Sequence, residues 1–185
     1  MSSLSSIRRG AALAVGAILA VLLATTVAAG PISPRHAHGS FVDASGATIG
    51  SIRLTEDGHG VVHLKVKVEG LAPGLHGIHI HAVGSCSPTF AAAGGHYNPF
   101  GHEHGLDNPN GPHAGDLPNL VVNVRGHGRL HATTDRVSLT AGPATLFDAD
   151  GSAVIIHANP DDQVTNVGNG GSGARIACAV ILPGR

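Results

Sequence analysis

From Val61 to Val68 apolar and polar residues alternate, with Val62, Leu64, Val66 and Val68 set against His63, Lys65 and Lys67. A period of two marks a strand with one buried and one wet face. Thr48 to Leu54 alternates in the same way and runs into the turn Glu56-Asp57-Gly58, while Phe41-Val42-Asp43 leads to Ala44-Ser45-Gly46-Ala47. These runs predict an antiparallel meander that opens at Gly39. Further strands are predicted at Ile78–His81 after Pro73-Gly74, and at 120–124, 128–133, 153–157 and 174–182. Two long stretches, 84–118 and 158–173, have no period and are dense in glycine and proline. A loop that long inside a compact domain is either functional or disordered. The first carries four histidines, which predicts that a metal orders it. There is no internal repeat and no strong amphipathic helix. The sum is an all-β fold of roughly eight strands, a flattened Greek-key β-barrel or sandwich with two long functional loops.

The N-terminus follows another pattern. Arg8 and Arg9 precede an apolar run from Ala11 to Leu23, and Val27 and Ala29 are small residues placed for cleavage after Ala29. That predicts a signal peptide over 1–29 and an exported protein, secreted or held in the cell envelope. The apolar run is short for a membrane span and ends in Gly-Pro, so no stable anchor is expected after cleavage. Residues 30–38 read as a flexible lead-in, and 39–185 as one domain.

Composition sharpens this picture at two points. The net charge is −1 with neutral histidine, so the bulk charge gives no footprint for nucleic acid. Histidine is the outlier, with 14 residues against 11 Lys and Arg together, and imidazole is the commonest metal ligand. The only two cysteines, Cys86 and Cys178, have one partner each to choose from. An intrachain pair is the simplest reading in an oxidising compartment, with two buried free thiols as the alternative.

Spacing sorts the histidines. His79 and His81 stand at i and i+2 of a strand, so their rings reach one face and one ion. His96, His104 and His113 lie in the long loop, with Asp116 three residues beyond. Three imidazoles and a carboxylate suit four-coordinate, structural zinc. His157 ends an apolar strand, which is a rigid element from which to deliver a ligand. Seven side chains for two sites leave one to be shared, and spacing alone does not say that His96 bridges them. His76 reads as structural, and His59, His63, His127 and His131 as polar surface. His102 is a decoy beside His104, and His36 and His38 belong to an idle tail.

Gly74-Leu-His-Gly-Ile-His-Ile-His81, Gly94-Gly-His-Tyr-Asn-Pro99, His113-Ala-Gly-Asp-Leu-Pro118 and Gly173-Ala-Arg-Ile-Ala-Cys178 together resemble the Cu/Zn superoxide dismutase family in its bacterial secreted form. The resemblance runs from about Gly39 to Leu182. It implies copper on His79, His81, His96 and His157. It implies zinc on His96, His104, His113 and Asp116, with His96 as a shared imidazolate. It also implies a Cys86–Cys178 disulfide and the Greek-key barrel known for this family. The implied activity is disproportionation of superoxide to O2 and H2O2 by a redox-cycling copper, bridged through His96 to a structural zinc. Arg175 would then attract and orient the anion, and this family is a standard example of such field focusing. Asp161 would hydrogen-bond a copper-side and a zinc-side histidine, His79 and His104, fixing their rings. Superoxide is the expected substrate and a homodimer the assembly considered.

Three features depart from the family pattern: Ala82 where relatives carry Glu, Ala179 where they carry Gly, and a glycine-rich 161–175 loop about one residue longer than expected for bacterial relatives, in which Thr165 is the only candidate channel threonine. The competing reading is an exported copper-binding or buffering protein on the same scaffold without turnover. It would tolerate loss of Arg175 and of the zinc set.

Overall fold

The structure is a computed structural model that describes residues 35–167 and 169–184. The expected signal peptide and the lead-in up to Pro34 lie outside the described residues. Ten strands follow in chain order: β1 (His36–Asp43), β2 (Thr48–Glu56), β3 (Val62–Val68), β4 (Gly74–His76), β5 (Ile78–His81), β6 (Leu120–Val122), β7 (Gly128–Thr134), β8 (Ala153–His157), β9 (Arg175–Val180) and β10 (Leu182–Pro183). Among the described residues helix is confined to short 3-10 turns at Phe90–Ala93 and Asn169–Gly171. The eight expected strands become ten for local reasons. The Ile78–His81 strand is preceded by a short one across Gly77, and the closing strand is interrupted at Ile181, whose N–H turns to the Ser152 carbonyl.

All strand ladders are antiparallel, and the order is β4-β6-β7-β3-β2-β1-β9-β8-β5, with β10 beside β1. The two ends of that path, β4 and β5, are joined through the single residue Gly77. One segment, 74–81, therefore pairs with β6 at one end of the sheet and with β8 at the other, which nearly closes the barrel. Gly77 donates to the Asn159 carbonyl and accepts from His157 N–H. A Cβ there would lie 2.4 Å from Ser172 Oγ, so the crossover needs glycine.

Alternation explains which face each strand buries. Phe41, Ile52, Leu54, Leu64, Val66, Ile78, Ile80, Val154 and Ile156 fill the barrel and are almost fully buried. β1 starts at His36, inside the segment read as lead-in, because Ala37 and Gly39 continue the buried face of Phe41. Side chains that small gave no hydrophobic signal. Ala179 fits in the same way, since its Cβ faces Gly39, where no side chain competes. β8 is buried on both faces: Val154 and Ile156 point into the barrel, while Ala153 and Ile155 join Cys178 and Ala93 in a smaller cluster outside it. The loop 84–95 covers that outer cluster, tied down by the Cys86–Cys178 disulfide.

Candidate metal centre and its relatives

β5 is also buried on both faces. Ile78 and Ile80 enter the core, so His79 and His81 point out of the barrel, yet all four are fully buried. The long loop supplies the cover. Ile80 N–H donates to Gly115 O, and Tyr97 N–H donates to Ile80 O. A Cβ on Gly115 would come 2.3 Å from Ile80 O, so only glycine lets the loop lie this close. This stitching sets His96 across from His81 and Asp116 across from His79.

Two clusters result. In the first, Asp116 Oδ1 is approached by three Nδ1 atoms: His104 at 2.9 Å, His96 at 3.0 Å and His113 at 3.5 Å. His96 and His113 Nδ1 stand 3.3 Å apart. Four ligands about 2.0–2.1 Å from one tetrahedral ion would be about 3.3–3.4 Å from each other. These four separations are of the size expected between ligands of a tetrahedral ion. His79 also lies within 4.8 Å of this group, but its Nε2 is committed to Asp161. His113 lies at the edge of this group, with Nδ1 near both Asp116 Oδ1 and His96 Nδ1.

In the second cluster His79 Nδ1, His81 Nε2, His96 Nε2 and His157 Nε2 are buried and lack any hydrogen-bond partner. These four residues hold their ligand atoms within 4.8 Å of one another. Buried polar atoms are rarely left unpaired, because desolvation without a partner costs about 1–3 kcal/mol each. Four such atoms converging on one point fit a metal ion. Their other ring nitrogens are occupied. His81 Nδ1 donates to Gly94 O (3.0 Å) and His157 Nδ1 to Gly173 O (3.1 Å). Those bonds select the tautomer that aims a lone pair inward. Burial is the main force lowering the histidine pKa values here, to about 3 for His79, about 2 for His81 and about 4 for His157. At neutral pH their rings are neutral, the form that can bind a metal. His96 is lowered too, by burial first. It alone presents one nitrogen to each cluster.

Asp161 links the two. It accepts from His79 Nε2 at 2.5 Å and from His104 Nε2 at 3.0 Å. Burial opposes charge on Asp116 and Asp161, but hydrogen bonds from the histidines outweigh it and hold both well below the usual carboxylate range. Burial also opposes charge on His104, yet its bonds to the same two carboxylates raise it to about 9. Two carboxylates around one imidazole favour a cation between them, whether a proton or a metal dication.

Arg175 sits opposite His157 in the β8–β9 ladder. Its guanidinium donates to Phe90 O (2.7 Å) and Gly94 O (2.6 Å). Gly94 O is also the acceptor for His81, so the arginine and one histidine of the second cluster share an anchor.

Two positioning residues escaped the sequence reading. Asn119 exchanges two hydrogen bonds with the Asp161 backbone, and Arg136 Nη2 donates to Asp116 O at 2.8 Å. Neither belongs to a motif, and only the fold brings them close. His76 is structural as expected, buried with both ring nitrogens on carbonyls of His157 and Ala72. His102 is exposed and outside both clusters. Thr165 is exposed and its N–H is bound by Asp162, so nothing marks it as a channel residue. Ala82 packs against the barrel core and donates to Gly95 O.

The profile of the copper/zinc superoxide dismutase (SODC) family matches residues 48–181. The chain belongs to the copper/zinc superoxide dismutase family. It is 42% identical over 148 residues to Superoxide dismutase [Cu-Zn] 2 of Aquifex aeolicus, covering 78% of this chain and 85% of that one. It is 43% identical over 140 residues to Superoxide dismutase [Cu-Zn] of Caulobacter vibrioides, covering 74% and 79%. Among solved structures, a SOD-like protein from Bacillus subtilis superposes with a TM-score of 0.74 at 40% identity, covering 78% of this chain and 97% of that one. The family function is superoxide dismutation, and the clusters described above are where this chain could hold the family's metals.

Proposed function

We propose that this chain is a working superoxide dismutase, with copper on His79, His81, His96 and His157 and zinc on His96, His104, His113 and Asp116. The observation that carries this reading is the His96 ring, with Nδ1 toward the carboxylate cluster and Nε2 toward the four-imidazole cluster. The carboxylate set fills four positions and suits a closed structural zinc. The all-imidazole set suits copper, and Arg175 lies on its side.

Bound copper would supply the one-electron couple that lets one superoxide leave as O2 and a second, gaining an electron and two protons, leave as H2O2. The protein supplies the rest. The Arg175 guanidinium, fixed by two carbonyls, draws the anion in and sets its orientation. His96 Nε2 is the atom placed to hold one of the two protons. Asp161 keeps His79 and His104 in one tautomer each, and Asn119 keeps Asp161 in place. The Cys86–Cys178 bond and the N-terminal pattern support export, with residues 1–29 as the signal and an oxidising destination.

The test is reconstitution with copper and zinc, followed by metal analysis and superoxide consumption. Near-equal copper and zinc and turnover above that of free copper are expected. Turnover no better than free copper would leave only the buffering alternative. Arg175→Ala is expected to keep both metals and react roughly tenfold or more slowly, with a weaker salt dependence. Loss of metal in that variant would make the arginine structural instead. Asp161→Asn should weaken metal affinity by about 10–100-fold in chelator competition, because the ligand rings lose their orienting acceptor. Unchanged affinity would show that packing alone holds those rings.

A further inference from the structure

Strands β1, β2, β3 and β7 lie side by side at the middle of the sheet path, away from β5 and β8. Their outward residues form three cross-strand rows. These are His36–Thr55–His63–Thr133, His38–Arg53–Lys65–His131 and Ser40–Ser51–Lys67–Arg129. All twelve are exposed. Four are Lys or Arg, four are His and four are Ser or Thr; none is acidic and none is aliphatic. Both lysines of the chain are here. A net charge of −1 conceals this segregation.

Two features set this face apart from an ordinary wet sheet. First, Arg53 lies directly opposite Lys65, and Lys67 directly opposite Arg129. Like charges directly opposite each other in a ladder are destabilising, and carboxylates are the usual remedy. Second, the array itself holds no carboxylate, and Glu69, exposed just beyond Lys67 at the end of β3, forms no ion pair with these cations. The carboxylates of these strands are Asp43, held in its own turn, and Glu56, which points inward to Leu139 N–H and Thr140 Oγ1. Among the described residues none of Arg53, Lys65, Lys67 and Arg129 forms an ion pair; Asp57 pairs only with His63, at the edge of the array.

We infer that this face is a docking surface for an anionic polysaccharide, a sugar polymer that carries sulfate, carboxylate or phosphate groups. Rows about 6–7 Å apart and strands about 4.8 Å apart present a flat lattice of donors. Repeated anions laid across it would relieve the two like-charge pairs and release counterions. Hydroxyl and imidazole groups between the cations suit sugar hydroxyls and anionic oxygens alike. The face offers no Phe, Tyr or Trp on which bases could stack, as single-stranded nucleic acid favours. It offers no apolar side chain to enter a bilayer. Because the metal clusters lie on β5, β8 and the long loops, a polymer bound here leaves Arg175 free. The inference rests on this face alone and does not depend on the metals.

The experiment uses the purified protein on immobilised dextran sulfate, with uncharged dextran, phosphatidylglycerol vesicles and single-stranded DNA in parallel. Retention on dextran sulfate alone, reversed by added salt, is expected. Lys65→Ser with Lys67→Ser should weaken that binding on the order of tenfold or more, with superoxide consumption unchanged and a melting temperature no lower than that of wild type, because both like-charge pairs are relieved. Val124→Glu with Arg125→Ser removes the same net charge from an exposed turn off the array and should bind as wild type does. Equal weakening in both double variants would overturn the inference, because only bulk charge would then be at work. So would failure to bind dextran sulfate, or preferential binding to the vesicles or the DNA, which would assign the face to a membrane or a nucleic acid.

Discussion

His96→Ala is expected to abolish superoxide consumption above free copper and to lower zinc content as well as copper. Each of the other proposed ligands serves one cluster. His96 serves both, through Nδ1 beside Asp116 and Nε2 among the orphaned nitrogens. Its loss leaves three residues at each site and removes the atom proposed to hold a proton. The effect should exceed the roughly 10–100-fold cost of losing a supporting partner. His113→Ala is the informative control. It should lose zinc while retaining copper, because its ring reaches only the carboxylate cluster. Stoichiometric zinc in His96→Ala, measured on the same preparation, would rule out the shared role.

The second large effect concerns the disulfide. Cys86 and Cys178 are 92 residues apart in sequence. Closing a loop of that size stabilises by roughly 4–5 kcal/mol on the chain-entropy account. For a chain of this size each kcal/mol moves Tm by about 2–4 °C. Cys86→Ser with Cys178→Ser is therefore expected to lower Tm by about 8–20 °C at equal metal content, and reductant should lower the wild-type Tm likewise. The change reaches the chemistry too. The bond pins the loop whose Phe90 and Gly94 carbonyls hold Arg175 and His81. Activity should fall even below the new Tm. A Tm shift under about 2 °C would show that the outer cluster of Ala93, Ile155 and Phe90 holds the loop unaided.

Much of this was legible in the sequence because it is periodic or locally spaced. β3 and β2 declared themselves by alternation, and His79 and His81 by standing two apart on a strand. The start of β1 was not legible, since Ala37 and Gly39 bury little apolar area. The split at Gly77 was equally silent, because a crossover between the two ends of a sheet depends on tertiary closure. Asn119 and Arg136 support the site from positions with no spacing relation to the residues they hold. The basic face was hidden by arithmetic: Lys65, Lys67, Arg53 and Arg129 come from three separate strands, and only the register places them together. The role of His96 needed family resemblance at first, and the orientation of its two nitrogens now supports it.

The crossover at Gly77 has a consequence for what the protein tolerates. The same eight residues that close the barrel also aim His79 and His81 out of it and Ile78 and Ile80 into it. Side chains alternate with a period of two, so a slip of one residue exchanges the two sets. An insertion or deletion between β4 and β5 would drive two imidazoles into the oily interior and leave two isoleucines facing Asp161. The length of this segment is fixed at once by the circumference of the barrel and by the direction in which its histidines must look.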